Sequence, residues 1–473
     1  MHCETETATK ESGRSAIVVA LPWATLCRST VHKVYPFYHH YIAMTPSARS
    51  SSSWNNTVVA LASALCGAAL YAGIQHLLLQ RRRQPPNGNS GGTTPGDPET
   101  DYSFAHAKVW YCIGGALQAA QIYIGDRLEL YSTLRRLCAT PGSSVTATVL
   151  AQETGLHQRW LREWLAQQAS MGILQLLPAD NNHVTDVNVN DDDEHLHYRL
   201  PWATAQVLAN PESDEYDICM VAVVPSLVNR AKTMLPQAFA TGLGRPYDEA
   251  EVSDAIDRQH RLHIRNVLIP RIIPSTNNGA ALRALQKGCK VADLGCGAGN
   301  LVIAMARAYP NSTVHGYEVS EQALSVGATE LVKAKLKNAF LIDAKDDPLG
   351  DHVNEYDVIM TYDVLHDAPN PEELIQQVKA ALKPGGVWIL GDICSKPSVR
   401  ENIASNPLAA NMFAFSTCLC MSCSLSTPDG AGLGTLGFTV PVAEKMLHKG
   451  GFKSIKVVHE EPTVRWFEVM ELS

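Results

Sequence analysis

Val291-Ala-Asp-Leu-Gly-Cys-Gly-Ala-Gly-Asn300 decides how this chain is read. A short apolar run carrying Asp293 passes into glycines at alternate positions, Gly295, Gly297 and Gly299. Apolar residues at helical spacing follow (Leu301, Val302, Met305, Ala306), and then a second strand-like run, Ser312 to Glu318. Glycine permits a sharp turn and lets a ligand approach the backbone with no Cβ in the way. In such a β-α-β unit Glu318, twenty-one positions past Gly297, falls at the carboxyl ends of the strands. A carboxylate there can accept hydrogen bonds from both hydroxyls of a ribose, so the segment points to a nucleoside-bearing ligand.

The glycine spacing narrows that ligand. A dinucleotide fingerprint requires G-x-G-x-x-G, and the sixth position here is Asn300. G-x-G-x-G preceded by a strand-end Asp resembles the first motif of the S-adenosylmethionine-dependent methyltransferases with a Rossmann-like fold. The resemblance implies S-adenosylmethionine as cofactor, with Asp293, Gly295, Gly297, Gly299 and Glu318 around it. Gly432-Leu-Gly-Thr-Leu-Gly437 does spell the dinucleotide pattern, but no strand leads into it, and it reads as a loop.

The α/β alternation continues downstream. Asn338 to Asp343 is a third strand, Tyr356 to Tyr362 a fourth, and Leu382 to Asp392 a helix end, a turn and a fifth. Lys456–His459 and Arg465–Val469 read as a closing antiparallel pair, which completes a seven-stranded sheet with helices on both faces. The resemblance implies that Asp343 accepts from the adenine amino group and that the Ala344 N–H reaches the ring. Asp363, at the end of the fourth strand, is grouped with the cofactor residues. His366-Asp367 resembles the His-Asp pair of small-molecule O-methyltransferases, which implies His366 as general base for a hydroxyl acceptor, a role suited to an imidazole. Residues 393–442 form an insertion placed to act as a lid, with Met412, Phe413, Phe415 and Met421 facing an apolar pocket or packing as core. Cys418, Cys420 and Cys423 read as small buried residues; no fourth ligand for a metal is evident, so no metal site is expected. Asp257 to Arg265 is a polar helix facing the crevice, with His260 and His263 as crevice or surface residues.

Upstream, apolar residues recur at helical spacing from Tyr102 to about Leu137. A short helix (147–152), a turn at Gly155, a second helix (157–171) and two strand-like runs (173–177 and 197–200) then make a winged-helix pattern. Gly125-Asp-Arg-Leu-Glu-Leu-Tyr131, Thr154 to Leu165 and Gln168-Ala-Ser-Met-Gly172 together resemble a family of methyltransferases with an amino-terminal winged-helix domain. The resemblance covers about 102–473. DNA binding does not fit: Asp191-Asp-Asp-Glu194 sits in the wing, the chain's net charge is -8, and phosphate attraction dominates such binding. Dimerisation and one wall of a substrate pocket are the expected roles, with a homodimer as the assembly.

Residues 1–56 form a leader without fold signal. Residues 57–80 contain an uncharged apolar run, Thr57 to Leu79, followed by Arg81-Arg-Arg83, the arrangement of a single membrane-spanning helix with its carboxyl side cytoplasmic, or of an organelle-targeting segment. Residues 81–101 are a Pro/Gly/Asn/Ser linker. The twelve cysteines lack the spacing of a disulfide framework. The expected organisation is then a winged-helix domain at 102–210, a helical connector at 211–280 and the catalytic domain at 281–473. The function read from this is methyl transfer from S-adenosylmethionine to a small-molecule acceptor, most readily an oxygen. Two alternatives stay open, a non-catalytic dimeric interaction module and a metalloid or thiol methyltransferase.

Overall fold

The computed structural model describes residues 102–178, 196–246 and 249–471. These fall within one of the chain's two compact units, Thr93–Ser473. The leader, the apolar run 57–79, the linker and the acidic stretch 180–194 lie outside the described residues. Among the described residues no helix is long and apolar enough to cross a membrane.

The first part is helical: α1 (Tyr102–Arg127), α2 (Leu130–Leu137), α3 (Ala147–Thr154), α4 (Gln158–Ser170), then β1 (Gln175–Leu176) and β2 (Tyr198–Arg199), which pair antiparallel, and α5 (Trp202–Ala209). The helical spacing of 102–137 is not one helix: Glu129 takes a left-handed backbone conformation (φ 54°) and separates α1 from α2. Thr146 caps α3 by accepting from the Val149 N–H, and Gly155 (φ 70°) ends it. Leu130, Tyr131, Leu134, Leu150 and Leu165 form the centre of this part.

A connector follows, with α6 (Val224–Thr233), α7 (Leu235–Thr241) and α8 (Ala250–His263). Beyond α8 the helix widens over Ile264–Ile272, where Pro270 supplies no N–H to an ordinary helical ladder. Then come α9 (Ala280–Lys287), β3 (Lys290–Leu294), α10 (Asn300–Ala308), β4 (Thr313–Glu318), α11 (Glu321–Ala334), β5 (Ala339–Asp343) and β6 (Tyr356–Tyr362). The remainder is α12 (Pro371–Ala381), β7 (Leu382–Ile393), α13 (Val399–Ser405), α14 (Ala409–Cys418), α15 (Cys420–Ser424), α16 (Val440–Lys449), β8 (Ser454–Glu460) and β9 (Val464–Met470).

Seven strands form one sheet in the order β5-β4-β3-β6-β7-β9-β8. Five run parallel, and β9 is antiparallel to both β7 and β8. The parallel strands are continuous apolar runs because both faces are covered; Val358, Ile359 and Met360 in β6 and Val387 to Leu390 in β7 are all buried. One face packs the widened segment, α9 and α10 against Val291, Val314, Val358 and Trp466. The other packs α12 and α16 against Ala292, Ile359, Trp388 and Phe467. Strand order reverses between β3 and β6, and in such sheets the crevice at the carboxyl ends beside the reversal is where ligands bind.

One contact on this sheet bears on the crevice. A Cβ on Gly391 of β7 would lie 2.6 Å from the Trp466 ring of β9, so the indole lies flat where only glycine leaves room. Gly391→Ala should therefore overpack the site and cost about 1–3 kcal/mol, read as a lower urea midpoint for the full chain.

Candidate active site

Three glycines shape the turn after β3. Gly295, Gly297 and Gly299 all have positive φ (78°, 54° and 77°), a conformation that strains other residues. A Cβ on Gly295 would also sit 2.6 Å from Cγ2 of Val364, so the turn after β6 packs directly on this loop. The loop is tied to β4 twice. The N–H groups of Gly295 and Cys296 donate to the Tyr317 carbonyl (2.8 and 3.1 Å). The Gly297 N–H donates to Oε2 of Glu318 (2.9 Å). Oε1 of Glu318 accepts from the N–H groups of Val319 and Ser320, each at 2.8 Å.

Asp343 is paired with Glu318 in the sheet register. The Ala344 N–H donates to the Glu318 carbonyl (3.0 Å), and Oδ1 of Asp343 accepts from the Lys345 N–H (3.0 Å). Asp293 lies beneath the loop, 3% exposed, with its Oδ2 lacking any hydrogen-bond partner. Burial, and then the charge of Glu318, push its carboxyl up to about 8. The structure thus brings together all the residues that the sequence groups around the loop. A cradle free of side chains, bordered by carboxylates and by a buried acid with an open oxygen, suits a nucleoside that carries positive charge.

The turn after β6 holds the second group. Asp363 takes positive φ (65°). Its Oδ2 lies 3.3 Å from Nε2 of His260 and its Oδ1 3.7 Å from Nδ1 of His366. Burial alone would raise the Asp363 carboxyl; the His260 hydrogen bond and the charges of both histidines outweigh it and hold the carboxyl below its ordinary value. His366 is 1% exposed, and its Nδ1 lies 2.8 Å from Oδ1 of Asp392 at the end of β7. That oxygen also accepts from the Ile393 N–H (2.7 Å). Burial alone would depress the His366 pKa, but the charge of Asp392 and the hydrogen-bonded Cys420 side chain hold it well above the ordinary histidine value. Asp367 is buried beside it, but the carboxylate on Nδ1 is that of Asp392. Asp363, His366 and Asp392 place ligand-type atoms within 4.8 Å of one another; the contact with Asp392 already engages Nδ1.

Helix α8 roofs both groups. The His260 ring stacks on Tyr362 (centroids 4.1 Å apart). Nε1–H of Trp466 donates to Nε2 of His263 (2.9 Å), which leaves the proton of a neutral imidazole on Nδ1, 3.4 Å from Oε2 of Glu461. Burial lowers the His263 pKa to about 4, so it stays neutral in this bond at neutral pH. The insertion 393–442 folds as α13, α14, α15 and a glycine-rich return. It is tied to the connector: Arg230, 1% exposed, donates to the Cys418 carbonyl (3.1 Å), and Ser422 Oγ both accepts from the Arg245 N–H and donates to its carbonyl (3.0 Å each). Met412, Phe413, Phe415 and Met421 are half-buried, and Phe415 packs against the core around Val223, Val252 and Leu419.

A separate cavity of about 650 Å³ is lined by Tyr123, Asp126, Tyr216, Glu251, Asp254 and Arg258 among others, with no glycine-loop residue. Arg258 bridges Asp126 (3.1 Å) and Asp254 (3.2 Å) at its wall. Sequence reasoning missed the partners of His366, Asp392 and Cys420, each far from it in sequence, and put Asp257 on a helix facing the crevice without singling it out. For Asp392 a signal existed, an acid at the end of the fifth strand; for Cys420 there was none.

Asp293 yields a stability test. An unfolded aspartate titrates near 3.9, so the wild type keeps its full stability below that pH and loses it as pH rises toward the folded value of about 8. Asp293→Asn removes the loss. Its stability relative to wild type should therefore rise between pH 5 and 8 by at least about 1.4 kcal/mol, one pKa unit's worth, measured as urea unfolding free energies.

Residues 285–454 match the sequence family described as a methyltransferase domain. The ubiquinone biosynthesis O-methyltransferase of Thiobacillus denitrificans is 34% identical over 107 residues, 23% of this chain and 45% of that protein. The chain spans about half the length of the curated relatives it matches. Among solved structures, the human N-acetylserotonin methyltransferase in complex with S-adenosylmethionine is similar with a TM-score of 0.55 at 13% identity, covering 80% of this chain and 100% of that one. An O-methyltransferase family protein from Burkholderia thailandensis gives 0.53 at 13% identity, covering 77% and 98%. At these identities the structural likeness is one of fold. The glycine cradle, the sheet and the matched family agree: residues 285–454 are a methyltransferase domain of the S-adenosylmethionine-dependent type.

Proposed function

We propose that this chain transfers a methyl group from S-adenosylmethionine to an oxygen of a small molecule, with His366 as the base. The observation that carries the reading is the buried imidazole fixed on Asp392 within the turn that packs on the glycine loop through Val364. S-adenosylmethionine supplies an electrophilic methyl group when bound. What the chain must add is placement of the nucleophile and removal of its proton.

Glu318 accepts from the ribose hydroxyls while its three backbone donors keep it in place. The Asp343 carboxylate takes the adenine amino group. Ala344 contributes its methyl group rather than its N–H, which the Glu318 carbonyl already engages. Gly295, Gly297 and Gly299 give close approach, Asp293 supports the loop from below, and Asp363 links it to His260. His366 receives the acceptor's proton, Asp392 stabilises the imidazolium, and Asp367 packs the turn. The O-methyltransferase names among the relatives favour oxygen over nitrogen or sulfur.

The helices α3 and α4 with β1 and β2 serve, on this reading, as a winged-helix unit for dimerisation. The support is α1, which exposes Val109, Trp110 and Leu117, an apolar stripe suited to a second copy. Residues 57–79 would hold the protein at a membrane.

Calorimetric titration of the full chain with S-adenosylmethionine is the first test, beside Glu318→Ala, which should lose binding. His366→Ala should keep cofactor affinity and lose about 10²–10⁴-fold in methyl transfer to a panel of phenolic acceptors. A base must be unprotonated, and His366 is held above its ordinary value. The wild-type rate should thus climb with pH through an inflexion above about 6.5, and His366→Ala should lack that inflexion. No binding by the intact chain, or an unaltered rate in His366→Ala, defeats the reading.

A further inference from the structure

The crevice gathers more acidic side chains than a ribose site needs. Asp293 lies beneath the glycine loop and Glu318 beside it, and a third carboxylate reaches it from above. A Cβ on Gly297 would sit 3.5 Å from Oδ1 of Asp257. Asp257 belongs to α8, upstream of the matched residues 285–454. The arginines of its own helix make their hydrogen bonds and ion pairs with other groups. The Nε–H of Arg261 donates to Oδ1 of Asn300 (2.8 Å), and Arg258 bridges Asp126 and Asp254. Burial raises the Asp257 carboxyl to about 6, against the pull of His260, Arg261 and the Asn300 amide, while Asp254 adds to the rise. On the loop side, burial and then the charges of Asp293, Glu318 and Asp257 push the Cys296 thiol up.

Burial keeps Asp293 largely protonated below about pH 8, so Asp257 is the acid whose charge over the loop a bound cation would meet. S-adenosylmethionine and S-adenosylhomocysteine differ at the sulfur, a positive sulfonium in the substrate and a neutral thioether in the product. A fixed negative charge over the loop therefore acts unequally on the two. We propose that Asp257 makes this crevice prefer the sulfonium cofactor to its thioether product, an inference that rests on the reading that the crevice takes S-adenosylmethionine. The roof then favours charging of the site and release of the spent cofactor.

The test titrates S-adenosylmethionine and S-adenosylhomocysteine separately into the full chain, wild type and Asp257→Asn, at pH 7.5 and 5.5. In the variant at pH 7.5, affinity for S-adenosylmethionine should fall about tenfold and affinity for S-adenosylhomocysteine less than about twofold. The wild-type preference for the sulfonium should shrink at pH 5.5 as Asp257 protonates, and this comparison needs no variant at all. Asp257→Asn should show no such pH dependence, and Asp257→Glu should restore the preference. Equal weakening of both ligands, or a wild-type preference indifferent to pH, overturns the inference while leaving the cofactor reading standing. Binding of neither ligand to the wild type overturns both.

Discussion

One carboxylate organises the crevice. Glu318 takes N–H donors from Gly297 on one side and from Val319 and Ser320 on the other, so a side chain at the end of β4 fixes both the loop after β3 and the start of the next turn. Hydrogen bonds to an ionised acceptor are among the stronger ones available to a protein. The glycines let the loop come close enough for that contact, and the parallel pairing of β3 with β4 sets the carboxylate at the right height. Everything else in the crevice is arranged around that fixed point. Asp293 is buried below it, the Asp363–His366 turn packs on Gly295, and α8 closes over the top.

The histidines show how placement gives the same side chain different chemistry. His366 is enclosed with Asp392 against one nitrogen and becomes a strongly proton-binding group. His263 is also enclosed, but Trp466 donates to it, and the nitrogen that accepts that N–H cannot hold a proton at the same time. It stays neutral and serves as a fastener for α8. His260, one turn earlier on the helix, lies flat on Tyr362 and reaches Asp363. A buried carboxylate and a buried indole N–H thus assign a proton-handling role to one imidazole and a structural one to another.

The parts legible in the sequence are those governed by local pattern. Val291 to Leu294, Val358 to Met360 and Val387 to Leu390 announce buried parallel strands because both faces must be apolar. Glu318 follows from its distance past the glycines, and His366 from its place after the fourth strand. The parts that escaped depend on contacts between distant segments. Asp392 meets His366 across 26 residues, and Asp257 reaches the loop from a helix that the sequence sets at the crevice without showing which of its polar residues enters. The break between α1 and α2 escaped for another reason: Glu129 adopts a left-handed turn that its residue type does not advertise.

Trp466 and His263 are 203 residues apart, and the indole belongs to the last strand of the sheet. During synthesis the chain emerges from its amino end, so the roof helix exists long before the strand that fastens it. The glycine loop, β4 and the base-bearing turn can all assemble while α8 still lacks its anchor. Only when β9 inserts beside β7, laying the indole across Gly391, is the roof fastened. The order of translation thus makes completion of the crevice a late event, gated by a strand that leaves the ribosome long after the roof helix.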